Sequence, residues 1–129
     1  MPERPLSPHV WHYRWAYTMT LSILHRLTGL ALTLALVGLV LWLAAIGLGP
    51  ARYVAWLPWL TAWPAMVLYG LAIVALVYHF CNGLRHLAWD VGRGYERRTA
   101  RTSGWVVVSV AIVAALVCLY FLARHGAGP

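Results

Sequence analysis

The chain has 129 residues, is 62% hydrophobic and only 10% charged, and carries a formal net charge of +7. That balance excludes a disordered chain and argues against a water-soluble domain, since so few charges cannot cover so apolar a surface. Every Lys/Arg position is an arginine, and the arginines flank apolar runs, so the positive charge reads as a topology signal and no nucleic-acid partner is expected.

Residues 1–21 form a polar and aromatic arm with Pro2, Pro5 and Pro8 near its start. It lacks the short apolar core of a secretory signal and is expected to be retained. Trp11, Tyr13, Trp15 and Tyr17 alternate along it, which suits a segment lying at a membrane interface. The first predicted helix covers 22–48. Its stretch from Leu27 to Leu48 is free of charge and long enough to cross a hydrocarbon core of about 30 Å at about 1.5 Å per residue. Gly49-Pro50 ends it. Residues 49–63 read as a short connection broken by Pro50 and Pro58, with Trp56, Trp59 and Trp63 marking a second membrane surface.

The second predicted helix covers 64–90, with Pro64 at its first position. It is uncharged as far as Leu84, and helical periodicity continues to Asp90, so its end should protrude from the apolar layer. Arg93, Arg97, Arg98 and Arg101 then make a basic loop with Gly92 and Gly94 as breakers. The third predicted helix covers 103–124, with Thr102 or Ser103 able to cap it. The expected architecture is therefore an all-α membrane protein, a single domain of three transmembrane helices. Arg4, Arg14 and Arg26 on the N-terminal flank, together with the basic loop, outweigh Arg52 in the first connection and Arg124 near the end. The positive-inside rule puts the N-terminus in the cytoplasm and the C-terminus outside, in a multi-pass protein. There is no internal repeat of the kind used by inverted-repeat transporters. Cys81 and Cys118 lie inside apolar runs and read as small hydrophobes, not as a disulfide or zinc framework.

Two polar clusters fall on the expected cytoplasmic side. Ser22, His25 and Arg26 sit at i, i+3 and i+4, on one helix face. A hydroxyl and a guanidinium there can hydrogen-bond a carbonyl or carboxylate at the membrane edge; the competing reading is an arginine that snorkels to phosphate headgroups. The second cluster is the stripe His79, Gly83, His86 and Asp90, at i, i+4, i+7 and i+11. Ionisable groups in a membrane are costly and mark function by default. His79 lies roughly 7–8 Å below the edge of the uncharged run at helical rise. It can be a satisfied interhelical histidine, or it can ligate a metal such as haem iron. If two histidines hold a haem here, the second must come from another subunit, because His25 and His86 lie nearer the surface. Arg85, His86, His25 and Arg26 would then stand at the height of the haem propionates. Neither cluster contains a complete active site: paired carboxylates, a nucleophile with its base and a Gly-rich phosphate loop are all missing.

At these clusters the sequence resembles a known family. Arg4-Pro5-Leu6-Ser7-Pro8-His9, followed by Ser22-Ile23-Leu24-His25-Arg26-Leu27-Thr28-Gly29, is similar to the N-terminal signature of the cytochrome b556 subunits of succinate dehydrogenase. His79-Phe80-Cys81-Asn82-Gly83-Leu84-Arg85-His86-Leu87-Ala88-Trp89-Asp90 is similar to their second signature. The resemblance spans nearly the whole chain. It implies a membrane anchor of respiratory complex II, in the tricarboxylic acid cycle and electron transport, without a catalytic core of its own. Its partners would be a flavoprotein subunit, an iron–sulfur subunit and a second small membrane anchor. It implies that His79 is the axial ligand of haem b iron, with the other axial histidine on the second anchor. Ser22, Arg26 and Ile23 would contribute to a quinone site. His25, Arg26, Arg85, His86 and Asp90 would support the haem or its propionates. The alternatives are the anchor of a quinol:fumarate reductase, or a structural or transport subunit without haem.

Overall fold

The computed structural model describes residues 15–126. The Arg4–His9 motif, Trp11, Tyr13, Arg14 and residues 127–129 lie outside the described residues. Four helices follow in chain order: α1 Tyr17–Gly47, α2 Pro50–Leu60, α3 Trp63–Asp90 and α4 Arg97–Gly126. Among the described residues, α1, α3 and α4 are long and apolar enough to cross a membrane. At 31, 28 and 30 residues they are each over about 40 Å long, more than a hydrocarbon core requires. Their surplus length carries the polar ends.

The elements differ from the sequence expectation at three places. α1 starts at Tyr17, not at residue 22, because the aromatic end of the arm is itself helical and Tyr17 stacks on Trp105 of α4 at 4.7 Å. The connection contains α2, which has Pro50 in its first turn, where no N–H is missed, and Pro58 in its last turn. α4 starts at Arg97, since Arg97, Arg98, Ala100 and Arg101 are good helix formers. Thr102 and Ser103 are therefore inside α4 and not caps. Their hydroxyls donate back to the Arg98 and Ala100 carbonyls at 3.1 and 3.2 Å.

α3 is the central helix, packed against α4 on one side and α1 on the other. The core is built from small residues: Ala75 of α3 is buried, as are Val107, Ala111 and Ala115 at four-residue spacing on α4. With lipid outside, close backbone approach and van der Waals contact hold helices together better than bulk does. Leu21 of α1 is the one leucine buried among the described residues; most large side chains point outward, Leu34 and Val113 among them. Gly104 marks the tightest crossing, where an added Cβ would stand 2.7 Å from Leu21 Cδ1.

α3 ends in a hydrogen-bonded cap. Gly92 has φ +79°, its N–H donates to the Trp89 carbonyl at 2.7 Å, and the Arg93 N–H donates to the Ala88 carbonyl at 3.0 Å. This is a Schellman motif, and the left-handed position requires glycine. Gly92→Ala is expected to cost about 1 kcal/mol. A thermal dissociation midpoint of the assembled protein identical to that of the parent would contradict this.

Candidate functional site

The site lies where α1 and α3 face each other near the Asp90 end of α3. Two glycines open it. Gly29 faces His79, whose Cε1 would stand 3.0 Å from an added Cβ, and Gly83 faces His25, whose Cε1 would stand 3.7 Å away. Each histidine thus meets a glycine on the opposing helix. His25 faces Gly83, one turn along α3 from His79. The space left by the glycines lets the two rings meet all the same, stacked at 3.9 Å and 11°. His86 joins them, its ring 4.9 Å from His25 and edge-on to Trp89 at 5.0 Å.

The hydrogen bonds assign the His79 tautomer. Nδ1 lies 3.0 Å from the His25 carbonyl oxygen and 3.2 Å from Thr28 Oγ1. A carbonyl only accepts, so Nδ1 carries a proton, and the neutral tautomer with this bond leaves the Nε2 lone pair free. That nitrogen has no hydrogen bond among the described residues. His25 Nδ1 and His86 Nε2 are buried and also lack hydrogen-bond partners there. Buried polar atoms without partners are costly, and here they sit together in one cleft. This set fits a bound haem: a neutral imidazole with a free Nε2 for iron, and two ring nitrogens available to polar groups at the rim.

The remaining expected residues divide. Ser22 and Arg26 share one stripe on α1, beside the His25 and Gly29 face at about 100° per residue. Ser22 is half-buried and Arg26 is exposed. Ile23 is exposed and, two residues before His25, lies about 160° around α1 from it. Asp90 is exposed at the last position of α3, past the cluster.

Arg85 is not in the histidine cleft. It is buried against α4, its Nε donating to Ser103 Oγ at 3.1 Å and its Nη2 to the Ala100 carbonyl at 2.8 Å. Its Nη1 donates to Asn82 Oδ1 at 3.4 Å, and its guanidinium lies 4.0 Å from the Trp89 ring centroid. Asn82, fully buried, donates onward to the Leu21 carbonyl at 3.4 Å, and Tyr78 Oη donates to the same carbonyl at 2.9 Å. One polar joint therefore binds α1, α3 and α4. Sequence spacing did not single out Thr28, Gly29, Tyr78, Asn82 or Ser103 for these contacts. Asn82 carried the clearest signal, a neutral amide inside an apolar helix that must find partners on another helix.

Below the histidines, an apolar groove of about 860 Å³ continues along the α1–α3 face. Ala31, Gly38 and Trp42 of α1, Tyr53 of α2, and Ala65 and Ala72 of α3 line it. Ala72 is two turns before His79 on the same stripe.

Residues 1–118 match the family model described as succinate dehydrogenase/fumarate reductase transmembrane subunit. The succinate dehydrogenase cytochrome b556 subunit of Rickettsia felis is 36% identical over 111 residues, covering 86% of each chain. That of Paracoccus denitrificans is 35% identical over 118 residues, covering 91% of this chain and 90% of its own. The human mitochondrial succinate dehydrogenase cytochrome b560 subunit is 35% identical over 119 residues, covering 88% of this chain and 69% of its own. With its three membrane-length helices and a match over most of its length, the chain belongs to the succinate dehydrogenase/fumarate reductase transmembrane subunit family.

Proposed function

We propose that this chain is a membrane anchor of succinate:quinone oxidoreductase that holds haem b through His79 and forms part of the quinone-reduction site. The observation that carries the haem reading is the His79 ring, with Nδ1 tied to the His25 carbonyl and Nε2 free in a glycine-lined cleft. The names of the relatives, cytochrome b subunits, support the same cofactor. When bound, the haem would accept and return one electron at a time. His25 lies flat against His79 and would serve the site as a neighbour of that ligand. As the family resemblance implies, the second histidine would come from the second anchor subunit. His25 and His86 would offer buried ring nitrogens to the haem, and Arg26 and Asp90 would stand toward its polar groups. Arg85 supports the site from behind, by holding α3 to α4.

Ser22 and Arg26 are proposed to hold a quinone carbonyl, with Ile23 against the ring. Charge grows on that oxygen as the quinone is reduced, and a guanidinium and a hydroxyl beside it would stabilise it most at that stage. Electrons would arrive from the iron–sulfur subunit after succinate oxidation at the flavoprotein, and the chain alone has no complete active site. The N-terminal arm and the basic loop face the cytoplasm in this reading, in a bacterial inner membrane, where they meet both soluble subunits.

A reduced-minus-oxidised spectrum of the purified complex tests the haem reading. A b-type band is expected; its absence would leave a structural subunit with interhelical histidines. For the quinone site, Arg26→Ala is expected to lower quinone reduction on the order of a hundredfold. Succinate oxidation with a soluble acceptor should survive. Equal loss of both activities would defeat the assignment.

A further inference from the structure

We infer that Thr28 is a positioning residue for the His79 imidazole, and that its hydroxyl helps to set the redox potential of the haem. The inference rests on the haem reading and goes beyond it, to a residue not assigned to either site.

The geometry is a three-sided clamp. Thr28 Oγ1 stands 2.9 Å from both the Leu24 and the His25 carbonyls, and 3.2 Å from His79 Nδ1. Its single proton is directed to those carbonyls, which cannot donate. Its lone pair therefore faces the Nδ1 proton, which it shares with the His25 carbonyl 3.0 Å away. The His25 ring covers one face of the imidazole at 3.9 Å. Gly29 leaves room for the ring edge, which passes where a Cβ would be 3.0 Å away. Only one ring plane satisfies all three contacts, so Nε2 has a fixed direction before any partner arrives.

Two acceptors on one N–H also change the electronics. They draw the Nδ1 proton outward and make Nε2 a stronger donor. A stronger donor favours the oxidised, more positive iron and lowers the potential. Removing the hydroxyl while keeping the branched shape should therefore raise it.

The test uses the assembled complex carrying Thr28→Val or Thr28→Ser. Thr28→Val is expected to shift the haem midpoint potential upward and to change the low-spin ferric electron paramagnetic resonance signal. Thr28→Ser keeps the hydroxyl and should match the parent in both. A Thr28→Val complex with the parent potential and signal would overturn the inference. If Thr28→Val assembles without haem, retention of haem by Thr28→Ser supports the clamp, and loss in both variants overturns it. A parent complex without a b-type band defeats the haem reading itself. A band with an unmoved Thr28→Val potential defeats only this inference.

Discussion

His79→Ala is expected to lower the haem content of the purified complex by about tenfold or more, with the complex still assembled. The size follows from its role: loss of residues that merely orient a metal ligand costs about 10–100-fold in affinity, and loss of the ligand costs at least as much. Assembly should survive because the ring is only half-buried and its polar contacts run to Thr28 and the His25 carbonyl, not to the α3–α4 interface. Cys81→Ala is the matched control. It alters a nearby α3 position that belongs to neither site and should leave the b-type band in place. Haem content that is unchanged in His79→Ala, or lost equally in both variants, would show that the iron is held elsewhere.

The second large effect is expected at Arg85. Arg85→Leu leaves Asn82 Oδ1 without the guanidinium donor and takes one donor each from Ser103 Oγ and the Ala100 carbonyl, the latter keeping the Ser103 hydroxyl. A buried acceptor left without a donor costs about 1–3 kcal/mol, and hydrogen bonds from a charged group contribute about 1.5–3 kcal/mol, so a loss on the order of 3 kcal/mol is expected. It should appear as a lower thermal dissociation midpoint and a lower yield of complex. Arg85→Lys should recover only part, since an ammonium cannot span three acceptors in the plane of a guanidinium. Complex that survives Arg85→Leu should retain the parent haem spectrum. A shifted haem spectrum at unchanged stability would instead place the guanidinium at the propionates.

The three spans were legible because each is an uncharged run of leucine, valine and alanine closed by glycine, proline or arginine. Helix ends were less legible. Charge marks the edge of the apolar layer, but hydrogen bonding marks the end of a helix, and Arg97 to Arg101 satisfy the second without the first. α2 was hidden by Pro58, which cannot donate to the Val54 carbonyl and reads as a breaker, yet the helix runs two residues past it to Leu60. The stripe of His79, Gly83 and His86 was legible from periodicity alone, and the structure adds His25 to it across the helix pair. Arg85 was not, because its position in the second signature does not reveal which neighbouring helix it faces. Its direction depends on where α4 packs, and periodicity within α3 carries no information about that.

The Leu21 carbonyl has a consequence at a distance. It receives both Tyr78 and Asn82 of α3, and Asn82 bonds in turn to Arg85, which reaches Ala100 and Ser103 of α4. Leu21 is the residue before Ser22, so the turn of α1 that presents Ser22 and Arg26 is tethered to a helix that contributes no residue to the quinone site. Substitutions at Ala100, Ser103 or Gly104 thus belong among the candidates for altered inhibitor sensitivity, although each lies on the opposite side of α3 from the histidines. A resistance screen read only by proximity to the quinone would overlook them.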